Sequence, residues 1–139
     1  MKADFYVAGK YEDPAVDDVM TLVHKHGHNL TLDWKELEAF KPYEDFAEDN
    51  SSAAEAMIDA VVEANVLILV GYDGLYGAMV ELGAALASDT EVWFYMPDVE
   101  VRYSIFMFHP AVDIVGRPSL EWRLETLART ETEWAKGLF

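Results

Sequence analysis

The chain has 139 residues, 52% of them apolar, no cysteine and a formal net charge of -16. Its size and apolar content predict one folded domain spanning 1–139 and exclude a disordered acidic tail. The lack of cysteine excludes a disulfide framework and thiolate chemistry and fits a cytoplasmic protein, while the acidity argues against nucleic-acid polymers and anionic membranes, which need a positive footprint. A small nucleotide is still admissible, because one lysine or one helix N-terminus can hold a single phosphate. No apolar run is long enough to span a bilayer, and Met1-Lys2-Ala3-Asp4 does not read as a signal peptide.

In chain order, Asp4–Ala8 reads as a first strand, followed by Gly9-Lys10. Asp13-Pro14 is a cap and first-turn signal for a helix to about His26, with Gly27 as its stop. Asn29–Leu32 predicts a second strand ending at Asp33-Trp34. Lys35–Asn50, acidic and aromatic with weak periodicity, predicts a long loop containing at most a short helix. Ser52 and Glu55 have capping-box spacing. Ala53, Ala56, Met57, Ala60, Val61 and Ala64 then form an apolar helical stripe.

Val66–Val70 is uniformly apolar, as a central parallel strand covered on both faces should be. Gly71–Ala87 starts as a Gly/Tyr/Asp loop and ends as an alanine-rich helix that carries Glu81. Glu91–Tyr95 and Val112–Val115 read as the fourth and fifth strands, and Ser104–Val112 as an aromatic segment without clear periodicity. Pro118-Ser119 opens a last helix with Leu120, Leu124 and Leu127 on one face and Trp122 and Trp134 besides. That is more apolar surface than one sheet face needs, and it predicts a homodimer or larger homo-oligomer. The alternation of strands and helices predicts an α/β domain, a flavodoxin-like or Rossmann-like three-layer sandwich on a mostly parallel five-stranded sheet.

In such sheets ligands bind beyond the carboxyl ends of the strands. Here those ends carry Gly9-Lys10-Tyr11, Asp33-Trp34, Gly71–Tyr76 and Met96–Tyr103. The N-terminus of the helix entering the third strand, near Glu55, lies at the same edge. Tyr6, Asp73, Glu81 and Glu55 are therefore expected to converge. Gly71, Gly74 and Gly77 allow a tight loop and a close backbone approach, at a spacing that is neither a P-loop nor a dinucleotide fingerprint. Glu81, close to a helix start, is expected to be held ionised by the helix dipole. An ionised carboxylate beside a sugar can attack an anomeric carbon; the alternative is a solvated helix residue.

Other candidates each have a plainer reading. Lys10 holds a 5′-phosphate or is a surface lysine, and Glu55 serves the site or the capping box. Asp33 and Trp34 contact the base or ribose, or Trp34 is core. Tyr72 and Tyr76 wall the base or simply pack. Phe106, Phe108 and His109 form a lid, a subunit contact or core. His24, His26 and His28 lie at a helix end, where interaction with the helix C-terminus outweighs a metal site.

Four segments together resemble the nucleoside 2-deoxyribosyltransferase-like superfamily, which includes deoxynucleoside monophosphate N-glycosidases. They are Phe5–Gly9 (FYVAG), Ala64–Val70 (ANVLILV), Gly77–Ala87 (GAMVELGAALA) and Glu91–Tyr95 (EVWFY). The third has a glycine four residues before a Glu-Leu-Gly. The resemblance implies that Glu81 is a nucleophile toward C1′ of a 2-deoxyribonucleoside, that Tyr6 orients the active-site acids and that the substrate is a nucleoside or nucleotide. It also implies an oligomeric enzyme, and no metal or cofactor is required. Asn65 replaces the usual Asp of the second segment, and Met57 stands where the family carries an Asp in the preceding helix. Leu75 stands at the usual position of a loop acid, with Asp73 two residues earlier, either to protonate or hydrogen-bond the departing base or as a plain turn aspartate. Met57 supports an alternative, a non-catalytic nucleotide-binding or sensor protein on the same fold.

Overall fold

A computed structural model describes residues 2–37, 42–71, 75–97, 102 and 104–129. The elements are β1 (Asp4–Ala8), α1 (Pro14–Lys25), β2 (Asn29–Leu30), α2 (Ala47–Glu63), β3 (Val66–Val70), α3 (Tyr76–Leu86), β4 (Glu91–Tyr95), β5 (Val112–Val115) and α4 (Arg117–Leu127). Short 3-10 turns fall at Trp34–Glu36, Tyr43–Phe46 and Ile105–Phe108. The sheet order is β2-β1-β3-β4-β5 and every pairing is parallel. This is the expected doubly wound α/β fold, in its flavodoxin-like strand order. The chain winds outward from β1 to β2 and then in the other direction from β3 to β5. The reversal opens a crevice between the carboxyl ends of β1 and β3.

Local chemistry sets the elements. Asp13 caps α1 by accepting from the Ala15 N–H at 3.0 Å, Pro14 opens the helix, and Gly27 follows it with φ of 81°. All five β3 residues are buried, because helices cover both faces of the sheet. Helices α1 and α4 pack together on one face, α2 and α3 on the other. Along β1 the side chains alternate: Phe5 packs on His28 and Trp93, while Tyr6 points to the α3 side, toward Glu81. Asn65 pins the entry to the sheet, its Oδ1 accepting from Asp4 N–H at 2.8 Å and its own N–H donating to the Asp4 carbonyl at 2.7 Å.

Three expectations need correction. The second strand keeps only Asn29 and Leu30 in the sheet, because Asp33 already caps the following turn by accepting from the Lys35 N–H. Helix α2 begins at Ala47, with Glu48 and Asp49 in its first turn, so Ser52 and Glu55 are interior helical residues and form no capping box. The expected core stripe is buried at its C-terminal end, Ala60, Val61 and Ala64, and not at Ala53, Ala56 or Met57, because the N-terminal half of α2 overhangs the carboxyl edge of the sheet. In α4, Leu120 and Leu124 enter the core and Trp122 stays 60% exposed; Trp134 lies outside the described residues. No helix among the described residues is long and apolar enough to cross a membrane.

Candidate functional site

A cleft of about 580 Å³ lies at the strand-order reversal, between the ends of β1 and β3. Gly9, Lys10 and Tyr11 form one side, with Trp34 and Leu37 beside them. Asn50, Ala53, Ala54 and Met57 of α2 form a second wall, and Leu75, Tyr76, Gly77, Ala78 and Glu81 of α3 a third. The spacing 50, 53, 54, 57 is one helical face. Among the described lining residues Glu81 is the acid and Lys10 the cation.

Glu81 is only 5% exposed, although it lines the cleft. It is the sixth residue of α3, beyond the reach of the helix dipole. Burial governs its proton instead and pushes the carboxyl up to about 7, while hydrogen bonding from Tyr6 opposes that rise. This corrects the expectation of a dipole-stabilised carboxylate. Burial first, and the Glu81 charge second, drive the Tyr6 phenol far above its usual value near 10. Tyr6 is wholly buried beneath the cleft rather than in its lining. The two groups influence each other's proton, yet Tyr6 Oη and Glu81 Oε2 are both buried without a hydrogen bond of good geometry. The pair is adjacent, with its hydrogen bond not closed. Unsatisfied buried polar atoms are rare in folded proteins, and here two face one another.

The remaining expected site residues separate clearly. Gly9, Lys10, Trp34, Tyr76 and Gly77 line the cleft. Trp34 belongs to core and site at once: it is buried, and its Nε1–H donates to the Val7 carbonyl at 2.6 Å. Gly9 is required by close packing, since a Cβ there would stand 2.5 Å from Val16 Cγ2. A Cβ on Gly71 would meet Met96 and Phe94, so that glycine serves packing and lies outside the cleft lining. Gly77 has nothing within 4 Å of such a Cβ; one helical turn before Glu81, it keeps the approach to the carboxyl open. Glu55 is exposed on α2 and does not line the cleft. Asp33 caps its turn and does not line it either. Tyr72, Asp73 and Gly74 lie outside the described residues.

Tyr11, expected at this sheet edge but given no role there, lines the cleft, and so do Tyr43 and Asn50, which the sequence does not mark as site residues. Met57, expected on the core stripe, is partly buried against the core and also lines the cleft wall. The helical spacing of 50, 53, 54 and 57 was the available signal, but a cleft wall and a core stripe share that period. His28 is structural: Nδ1 accepts from Ala3 N–H at 3.0 Å and Nε2 lies 2.7 Å from the Leu124 carbonyl, which fixes the neutral Nε2–H tautomer. His109 Nδ1 accepts from the Ala111 N–H at 3.0 Å. Among the described residues no group of three His, Cys, Asp or Glu is placed to hold a metal ion.

Fold and cleft together define a doubly wound α/β protein with a buried carboxyl beneath its switch-point pocket. No family model matches the sequence, and no curated protein matches it. Among solved structures the chain is similar to the CMP N-glycosidase BcmB of Clostridium botulinum, with TM-score 0.57 and 14% identity over 91% of this chain and 99% of that one. It is also similar to a 2-deoxyribosyltransferase of Bacillus psychrosaccharolyticus, with TM-score 0.58 and 18% identity over 76% of this chain and 81% of that one. At these identities the likeness establishes a common fold.

Proposed function

We propose that this chain cleaves or exchanges the base of a 2′-deoxynucleoside, or of its 5′-monophosphate, with Glu81 as nucleophile. The observation that supports this most is a carboxyl buried at the base of a largely apolar cleft, on the fold shared with an N-glycosidase and a deoxyribosyltransferase. In the reaction a Glu81 oxygen bonds to C1′ as the C1′–N bond breaks, and that bond's electron pair leaves with the base, which takes up a proton. Asp73, three residues before the start of α3 in the sequence, is the proposed proton donor. The resulting glycosyl ester is attacked at C1′ by water or by a ring nitrogen of a second base. The attacking group loses a proton and the Glu81 carboxylate is released, so that two inversions give retention.

Tyr6 orients Glu81 from below. Lys10 receives a 5′-phosphate at the mouth, and Trp34 and Tyr76 wall the base. None of these steps requires a metal or cofactor. The assembly we propose is a homodimer or larger homo-oligomer, through the exposed Trp122 of α4 together with Ile105, Phe106 and Phe108. Sedimentation would show a sole monomer if that is wrong.

A non-catalytic nucleotide sensor is the second reading, favoured by one observation: Met57 puts a thioether on the α2 wall, at the position where the family resemblance implies an acid. Chromatography of a panel of nucleosides, 2′-deoxynucleosides and their 5′-monophosphates separates the two. The enzyme releases free base, and added second base is incorporated if it is a transferase. A nucleotide that binds in calorimetry and returns intact makes the protein a sensor.

A further inference from the structure

One half-buried cation outside the cleft backs an aromatic wall inside it. Lys35 follows Trp34 in the short turn after β2, and its backbone N–H is held by Asp33 Oδ1 at 3.2 Å. Its side chain is only 14% exposed, which is rare for a lysine. Nζ pairs with Asp17 Oδ1 of α1 at 2.9 Å and stands over the Tyr11 ring, 5.3 Å from its centroid. Tyr11 lines the cleft and is 57% exposed. Its ring also meets that of Trp34, with centroids 6.3 Å apart and planes tilted by 56°. Trp34 is fixed in turn by the Val7 carbonyl. A tyrosine on an exposed turn ordinarily samples several rotamers. Here an anchored cation outside the cleft and an anchored indole in its lining hold the ring.

We propose that Lys35 is a positioning residue that sets Tyr11 as the stacking wall for the planar heteroaromatic part of the ligand. On the reading above, on which this rests, that part is the nucleobase. A ring already held in place costs a stacking ligand less ordering entropy. The cation–π contact supplies the hold, and the Asp17 pair keeps the ammonium in position. A purely structural ion pair between Lys35 and Asp17 would support stability without discriminating between ligands with and without a base.

The test is equilibrium binding to the full chain carrying Glu81→Gln, which stops turnover. The probes are cytidine 5′-monophosphate, 2′-deoxyadenosine and, as a ligand without a base, ribose 5-phosphate. Lys35→Met is expected to weaken both base-containing probes roughly three- to tenfold and to leave ribose 5-phosphate unchanged. Lys35→Arg keeps binding within about twofold of the parent, since a guanidinium also serves over a ring. Tyr11→Ala loses at least as much as Lys35→Met, and the two losses do not add. If Lys35→Met fails to fold, Asp17→Asn cuts the anchor instead and should show the same ligand selectivity. The proposal is overturned if Lys35→Met binds like its parent, if it loses ribose 5-phosphate equally, if the losses add, or if neither base-containing probe binds. The glycosidase reading fails on a different result, intact nucleosides after incubation with wild type, so the two failures are distinguishable.

Discussion

The Tyr6 hydroxyl and the Glu81 carboxyl face each other beneath the cleft, and each acts on the other's proton second to burial: burial, and then the Glu81 charge, keeps the phenol protonated, and Tyr6 draws the carboxyl down against the rise that burial causes. If ionised Glu81 is the nucleophile, kcat/KM of the wild type rises with pH and levels off above about 7. Tyr6→Phe removes the group that lowers the Glu81 proton affinity. Its profile should therefore shift to higher pH, with activity at neutrality falling about tenfold or more. A pH–rate series on both proteins checks this, and an unshifted midpoint in Tyr6→Phe speaks against the pairing.

The same burial has a consequence for stability. Glu81 binds its proton more tightly folded, at about 7, than at its ordinary value of 4.5. Below 4.5 it is protonated in both states and costs nothing; between 4.5 and about 7 the unfolded chain ionises first, so stability falls as pH rises. At 1.36 kcal/mol per pH unit the full penalty is roughly 3 kcal/mol above neutrality. Glu81→Gln is thus expected to be more stable than wild type at pH 8 by roughly that amount, and nearly equal to it at pH 4.5. Urea unfolding at the two pH values measures it.

The glycines Gly9 and Gly77 should behave oppositely. Gly9→Ala places a methyl against Val16 and Val70 and is expected to cost about 1–3 kcal/mol of stability. Gly77→Ala meets nothing and improves helix propensity, so stability should hold or rise by under about 1 kcal/mol. Its methyl enters the space above Glu81, so KM for any substrate should rise several-fold. Thermal melts beside kinetics separate the two effects.

His28 is buried between the Ala3 amide and the Leu124 carbonyl, and burial is the first cause of its lowered proton affinity. Protonation at Nδ1 would remove the acceptor that Ala3 uses. The folded state therefore resists protonation: this contribution is complete above 6.5 and is lost as pH falls below it. His28→Gln is expected to cost about 1–3 kcal/mol at pH 8 and to flatten the acid limb of the wild-type stability curve, read by melting temperature between pH 5 and 8.

Much of the architecture was legible because the chain is locally consistent. Asp13-Pro14 and Gly27 bracket α1 as read, and the unbroken apolar run Val66–Val70 is the buried central strand. Where the reading failed, tertiary placement outweighed local pattern. Ser52 and Glu55 have capping-box spacing, yet Ala47 to Asn50 continue the helix upstream and overrun it. Ala53 and Met57 have core periodicity, but α2 projects past the sheet edge and turns that face to the cleft. The motif marks Glu81 as a candidate and the cleft includes it, whereas its raised proton affinity was not foreseeable. That comes from burial by elements distant in sequence, with Tyr6 of β1 opposing it, and neither is encoded near residue 81.

The central claim is that Glu81 forms a glycosyl ester. It is tested most directly by acid-quenching the enzyme during turnover of a 2′-deoxynucleoside or its 5′-monophosphate and locating added mass by peptide mass spectrometry. A deoxyribosyl or deoxyribosyl-phosphate increment on the peptide that carries Glu81, absent from Glu81→Gln, is the predicted result. Base release that proceeds undiminished in Glu81→Gln, or an adduct on another residue, would contradict the account.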